Sequence, residues 1–214
     1  MFFNKTQQQK SLHILAIGDS LTAGYYNYGQ SFHPYATHLT NLLDSANIPV
    51  KIHQQGVSGE KVLPSMVNRL HSLLEKNVSY DWVIILGGTN DLGWGFSAEN
   101  IFKKGLQPMY DMCLNHSQSK VKLAVMTVIE NAVYSPTDAK DHNRQELNRM
   151  IRDYVANAND QDRICLVDLD RGIPYHSVND RKERQRIWDD SIHLTAAGYD
   201  RMATLIFDTI KNKI

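Results

Sequence analysis

Short apolar runs alternate along this chain with longer stretches in which apolar residues recur every three or four positions. The first run, His13 to Ile17, breaks at Gly18 and reads as a buried strand ending in a loop. Residues 31–47 carry Phe32, Tyr35, Ala36, Leu39, Leu42, Leu43 and Ala46 at helical spacing, with Pro34 suited to a first turn. Val50 and Ile52 alternate in a short strand over 49–53, which gives way to a turn containing Gly56 and Gly59. Helices are predicted over 61–76, 98–116 and 142–158 and from Thr195 onward. Strands are predicted over 81–86, 121–128 and 164–169, with a polar loop over 130–141. The run Trp82 to Leu86 is apolar throughout, as a strand covered on both faces must be.

Five strands alternating with helices imply right-handed crossovers and a parallel sheet, hence an α/β fold built as a three-layer α/β/α sandwich. At 214 residues the chain fits one domain, 1–214, without repeat, linker or low-complexity block. The least regular stretch, 170–189, carries Arg171, Arg181, Lys182, Arg184 and Arg186 and reads as a solvated loop or short basic helix.

Charge narrows the choice of partner. With 23 basic and 23 acidic residues the formal net charge is zero, so no global field draws the chain to nucleic acid or an anionic membrane. A small molecule is the expected partner. Cys113 and Cys165 show neither metal-ligand nor redox spacing and read as small apolar residues in a reducing compartment. Residues 1–10 hold two phenylalanines and a polar run, too little for a signal peptide or membrane span, and a cytoplasmic location is expected.

In a parallel sheet the carboxyl ends of all strands share one edge, so Ser20, Gly59 and Asn90, each a few residues past a strand, should converge there. Ser20 has two readings, a helix N-cap or a nucleophile. Near the other end of the chain, Asp190 and His193 stand three residues apart, close enough for the carboxylate to orient the imidazole. Asp189 competes for that role. The backbone N–H groups of Ser20 and Gly59 and the side-chain amide of Asn90 would face the oxygen that becomes negative during acyl transfer. Asp19, beside Ser20, is assigned a structural place in the turn, accepting nearby N–H bonds.

Four blocks now stand in order: Gly18-Asp19-Ser20-Leu21, Gly59, Gly88-Thr89-Asn90-Asp91 and Asp190-Ser191-Ile192-His193. In order and separation they resemble the SGNH hydrolase superfamily, also called the GDSL esterase/lipase family. The resemblance implies a flavodoxin-like five-stranded sandwich with Ser20 as nucleophile, His193 as base and Asp190 as its orienter. It also implies an oxyanion hole of Ser20, Gly59 and Asn90. One departure is Gln54, where many members carry Asn at the start of the second block.

The expected reaction is hydrolysis of carboxylic esters of short to medium acyl chains through an acyl-serine, with no metal or organic cofactor required. Trp94, Phe96 and Tyr134 are candidates to line the substrate pocket. The alternatives are an acyltransferase, a thioesterase or a carbohydrate deacetylase using the same triad. Outside catalysis, the rival is a flavodoxin-like binding module, against which stands Asp19, whose charge would repel a phosphate.

Overall fold

The computed structural model describes residues 11–76, 78–115 and 120–214. The first ten residues, on which the leader reading rests, and His116, the expected end of one helix, lie outside them. In chain order the elements are β1 (Leu12–Gly18), α1 (Ser20–Ala23), β2 (Tyr25–Tyr26), β3 (Ser31–Phe32), α2 (Tyr35–Ser45) and β4 (Val50–Gly56). There follow α3 (Val67–Leu74), β5 (Trp82–Ile85), α4 (Thr89–Gly93), α5 (Ala98–Ile101), α6 (Gln107–Leu114) and β6 (Lys122–Met126). The chain closes with α7 (Ala139–Ala156), β7 (Ile164–Val167), α8 (Leu169–Gly172), α9 (Arg181–Ile187) and α10 (Ala196–Ile210).

The main sheet runs β4-β1-β5-β6-β7, every pair parallel, while β2 and β3 form a separate antiparallel hairpin. Alternate side chains enter different cores, as the two-residue period of a strand requires. Leu15, Ile17, Val83, Ile85, Leu123 and Val125 pack with Leu70, Ile101, Leu106, Leu147 and Ile151 on one face. Ile14, Ala16, Ile84, Ala124 and Val167 pack with Tyr35, Leu39, Tyr199, Met202 and Ile206 on the other. Helices therefore cover both faces, and the three-layer parallel architecture stands as the strand pattern implied. Cys113 and Cys165 are buried and unbonded, one in each core.

Several boundaries differ from the pattern reading. Residues 31–32 pair with β2, and helix α2 starts only at Tyr35, with Pro34 extended in the capping position and outside the first turn. Phe32 mimicked helical spacing but is exposed. Strand β4 continues past His53 to Gly56; it lies at the sheet edge, so its Gln54 and Gln55 need no apolar match. The helix expected from residue 61 becomes regular only at Val67. Leu63, directly before Pro64, is extended at φ −100°, ψ 123°, and the Asp91 carboxylate accepts the Val62 and Leu63 N–H groups at 2.8 and 3.1 Å. Helix α7 begins three residues earlier than expected, at Ala139, and segment 170–189 contains the basic helix α9. No helix among the described residues is long and apolar enough to cross a membrane.

The strand order has its switch point at β1, whose neighbours β4 and β5 follow it in sequence but lie on its two sides. Open α/β sheets leave a crevice there, at the carboxyl ends.

Candidate active site

Gly18 ends β1 where there is no room for a side chain: a Cβ would lie 2.6 Å from the Leu86 carbonyl oxygen. That close approach lets the chain turn into α1 at once. Asp19, not Ser20, caps the helix, its Oδ1 accepting the Leu21 N–H at 2.9 Å. Ser20 is thereby released from capping and stands as the first helical residue, whose N–H has no intrahelical acceptor.

The loop between α9 and α10 brings the distant block to it. Trp188 and Leu194 form an antiparallel bridge, the Asp189 N–H donates to the His193 carbonyl at 3.0 Å, and Thr195 caps α10. Within this tight loop Asp190 Oδ1 accepts the N–H groups of Ile192 and His193 at 2.7 and 2.6 Å. Its Oδ2 lies 2.8 Å from His193 Nδ1, and His193 Nε2 lies 3.0 Å from Ser20 Oγ. Because an ionised carboxylate only accepts, Nδ1 carries the proton and Nε2 is left to accept the serine hydroxyl. Burial alone would raise the Asp190 pKa, but its bonds from the His193 N–H, the His193 ring and the Ile192 N–H outweigh it and hold the carboxyl below the usual range. Asp189 is used elsewhere: its Oδ2 accepts the Asn27 N–H at 2.7 Å.

Gly59 has a φ of +77°, which favours glycine, and nothing lies within 4 Å of where its Cβ would stand. Asn90 Nδ2 donates to the Glu60 carbonyl at 2.9 Å and faces Asp19 Oδ2 at a long 3.4 Å. Gln54 Nε2 donates to the Thr22 carbonyl at 3.0 Å, so the departure from the family pattern fastens the end of β4 to α1.

Against models of protein families, residues 16–201 match the GDSL-like Lipase/Acylhydrolase family. The chain belongs to that family. The match makes it a member of a hydrolase family. Solved structures share its fold. The Clostridium thermocellum family 3 carbohydrate esterase superposes with a TM-score of 0.68 at 23% identity, over 95% of this chain and 96% of its own. The native M. smegmatis aryl esterase gives 0.72 at 18%, over 95% and 100%. A member of the lipolytic protein G-D-S-L family from Veillonella parvula DSM 2008 gives 0.67 at 20%, over 92% and 97%. No curated protein matches the sequence.

Two features of this GDSL-family site were not legible in its four blocks. The ring of Tyr25 lies against His193, centroid to centroid 4.5 Å. Asp19 is fully buried, and burial, reinforced by the charges of Asp91 and Glu60 against the opposing Leu21 N–H, pushes its pKa up to about 7. Beside the site a cavity of about 170 Å³ is lined by Thr89, Leu92, Val128, Tyr134 and Ile192, among others. Tyr134 lines this cavity, whereas Trp94 and Phe96 do not. Trp94 is exposed beneath the Lys61 ammonium, 4.6 Å from its ring, and Phe96 packs on the core.

A second charged cluster lies past the ends of β6 and β7. Arg144 pairs with Asp141 at 2.7 Å and with Asp170; Arg152 reaches Asp168 and Asp170, each at 2.7 Å. Arg144 also donates to the Val128 carbonyl at 3.1 Å. Burial would raise the carboxyls of Asp141 and Asp168, but their arginine partners hold both below the ordinary range.

Proposed function

We propose that this chain is a serine esterase acting on small carboxylic esters, with Ser20, His193 and Asp190 as its triad. The observation that carries the reading is the unbroken path from Ser20 Oγ through the imidazole to Asp190, at 3.0 and 2.8 Å. Ser20 Oγ attacks the ester carbonyl while Nε2 takes its proton, and Asp190 stabilises the imidazolium that forms. The Ser20 and Gly59 N–H groups and the Asn90 amide receive the oxyanion, Asn90 exchanging its long contact to Asp19 for it. His193 then protonates the leaving alcohol, leaving an acyl-serine. Water activated by the same imidazole releases the acid and restores Ser20.

The acyl group is assigned to the cavity beside Thr89 and Ile192, the chain neighbours of Asn90 and His193. At about 170 Å³, with Leu92, Val128 and Tyr134 in its lining, it favours short to medium acyl chains. The same small volume suits acetyl esters of sugars, in keeping with the name of the carbohydrate esterase that shares the fold.

Hydrolysis of p-nitrophenyl esters from acetate to palmitate, by the wild type and by Ser20→Ala, tests the reading. The expected outcome is fastest turnover of the shorter esters and nearly complete loss in a folded Ser20→Ala. Equal activity in the two proteins would remove Ser20 as nucleophile, and rates rising to palmitate would remove the cavity as the acyl seat.

A further inference from the structure

We propose that Tyr25 is a positioning residue for His193, its ring bracing the imidazole and stabilising the imidazolium; the inference rests on the reading of His193 as the base. The two rings lie 4.5 Å apart, tilted by 41°. Asp190 and Ser20 hold the imidazole by its two nitrogens, at 2.8 and 3.0 Å, and the N–H and lone pair through which a neutral imidazole bonds lie in the plane of its ring. They leave its tilt to whatever packs on its face, and Tyr25 packs there. The positive charge that His193 acquires on taking the serine proton develops beside an aromatic ring, which attracts a cation.

The Tyr25 ring is itself held. Phe32, its partner across the hairpin, meets it edge-on at 6.0 Å and 83°. Behind it, a Cβ at Gly29 would come within 2.7 Å of its ring. The Tyr199 hydroxyl donates to the Tyr25 carbonyl at 2.7 Å, fixing the hairpin to α10. The Asn27 N–H donates to Asp189, whose own N–H donates to the His193 carbonyl, so the hairpin is laced to the loop that carries the base. The tie explains why Asp189, adjacent to the orienting carboxylate, faces away from the imidazole.

The proposal requires the aromatic face and makes no use of the Tyr25 hydroxyl. Tyr25→Leu is expected to lower kcat roughly 3- to 30-fold with KM within about twofold of wild type, and Tyr25→Phe to restore most of the loss. The loss should be larger for an alkyl acetate, whose alkoxide must be protonated by His193 to leave, than for p-nitrophenyl acetate. A folded Tyr25→Leu with unchanged kcat, or a Tyr25→Phe as impaired as Tyr25→Leu, would overturn it. If Tyr25→Leu does not fold, Asp189→Ala cuts the Asn27 tether instead and should lower kcat at constant KM; an unchanged kcat there also overturns the proposal. His193→Ala separates the two readings. If it is inactive while Tyr25→Leu is fully active, only the brace fails; if His193→Ala remains active, the base assignment fails and the brace with it.

Discussion

Two clusters of charged side chains sit past the carboxyl ends of the strands, and only one of them holds an imidazole between a carboxylate and a serine hydroxyl. The Asp141, Arg144, Arg152, Asp168 and Asp170 cluster holds more charge, and Arg144 and Asp141 are nearly inaccessible, with side chains 4% and 1% exposed. Every carboxylate in it faces a guanidinium, and through Arg144 and Asn148 it grips the Val128 backbone at the end of β6. The Asp190 and His193 pair carries less charge and is more open, but its chain of bonds ends on the Ser20 hydroxyl. Perturbed titration marks both clusters. Open space borders both as well, since Arg144 lines the cavity beside Thr89 and, with Arg152 and Asp170, a second one; what sets one cluster apart is the serine hydroxyl against its imidazole, and electrostatics alone is a weak guide to a site.

The same substitution made in each cluster sharpens this contrast. Asp190→Asn keeps the shape but lets the imidazole settle in the wrong tautomer, and ester turnover should fall by roughly 10⁴-fold. Asp170→Asn, read in the same assay at saturating substrate, should leave kcat per folded molecule unchanged. Comparable losses in both would erase the distinction. Next in size is Asn90→Ala, which removes one oxyanion donor; kcat is expected to fall roughly 10²- to 10³-fold with little change in KM. A KM effect alone would make Asn90 a substrate-binding group instead.

The parts of this site that the sequence displays are those made by local spacing. Asp190 reaches His193 within one tight loop, as their three-residue spacing implied, whereas the residues around Ser20 left it two readings, and the structure gives the cap to Asp19. The sheet was equally plain wherever strands are covered on both faces, as in β5, and less so at the edge strand β4, whose half-exposed positions are free to be polar. What stayed hidden depends on residues far apart in the chain. Asp91 accepts the N–H groups of Val62 and Leu63, 29 and 28 positions away, although the break at Leu63 itself, directly before Pro64, is a local one. Tyr25 meets a histidine near the other end of the chain. Trp94 and Phe96, flanked by glycines, resembled a pocket wall, but one stands in solvent and the other packs on the core, which only the path of the loop decides.

Stability should reverse the ranking that activity sets. Arg144→Met strips the guanidinium from the buried Asp141 and leaves its carboxylate uncompensated, at a cost of about 3–5 kcal/mol. Denaturant midpoints would register that loss, while kcat of the remaining folded protein should hold. Ser20→Ala is expected to do the opposite, abolishing turnover with no more than a small shift in midpoint. A catalytic defect in folded Arg144→Met would mean that the network also shapes the cavity it borders.

The smallest effect expected separates Asp19 from the paired carboxylates of both clusters by the sign of its pH dependence. Asp141 and Asp168 titrate below their ordinary value when folded, so the stability they contribute is present above that value and lost as pH falls through the folded pKa. Asp19 runs the other way. Its pKa is raised from 3.8 to about 7, so its favourable contribution is complete below 3.8 and is lost as pH rises to about 7, where the buried carboxyl ionises. Asp19→Asn cannot ionise, and its amide oxygen can still accept the Leu21 N–H. Relative to wild type it should therefore be little changed at pH 4 and more stable at pH 8, by on the order of 1–3 kcal/mol. Its amide nitrogen, however, would meet the Asn90 amide donor against donor where the carboxylate now accepts. Turnover should consequently fall several-fold in the variant that gains stability. Denaturant titrations at the two pH values read the first effect and ester kinetics the second. A gain that is equal at both pH values would show that Asp19 is not the group ionising, and its opposition in sign to the paired carboxylates would fail with it.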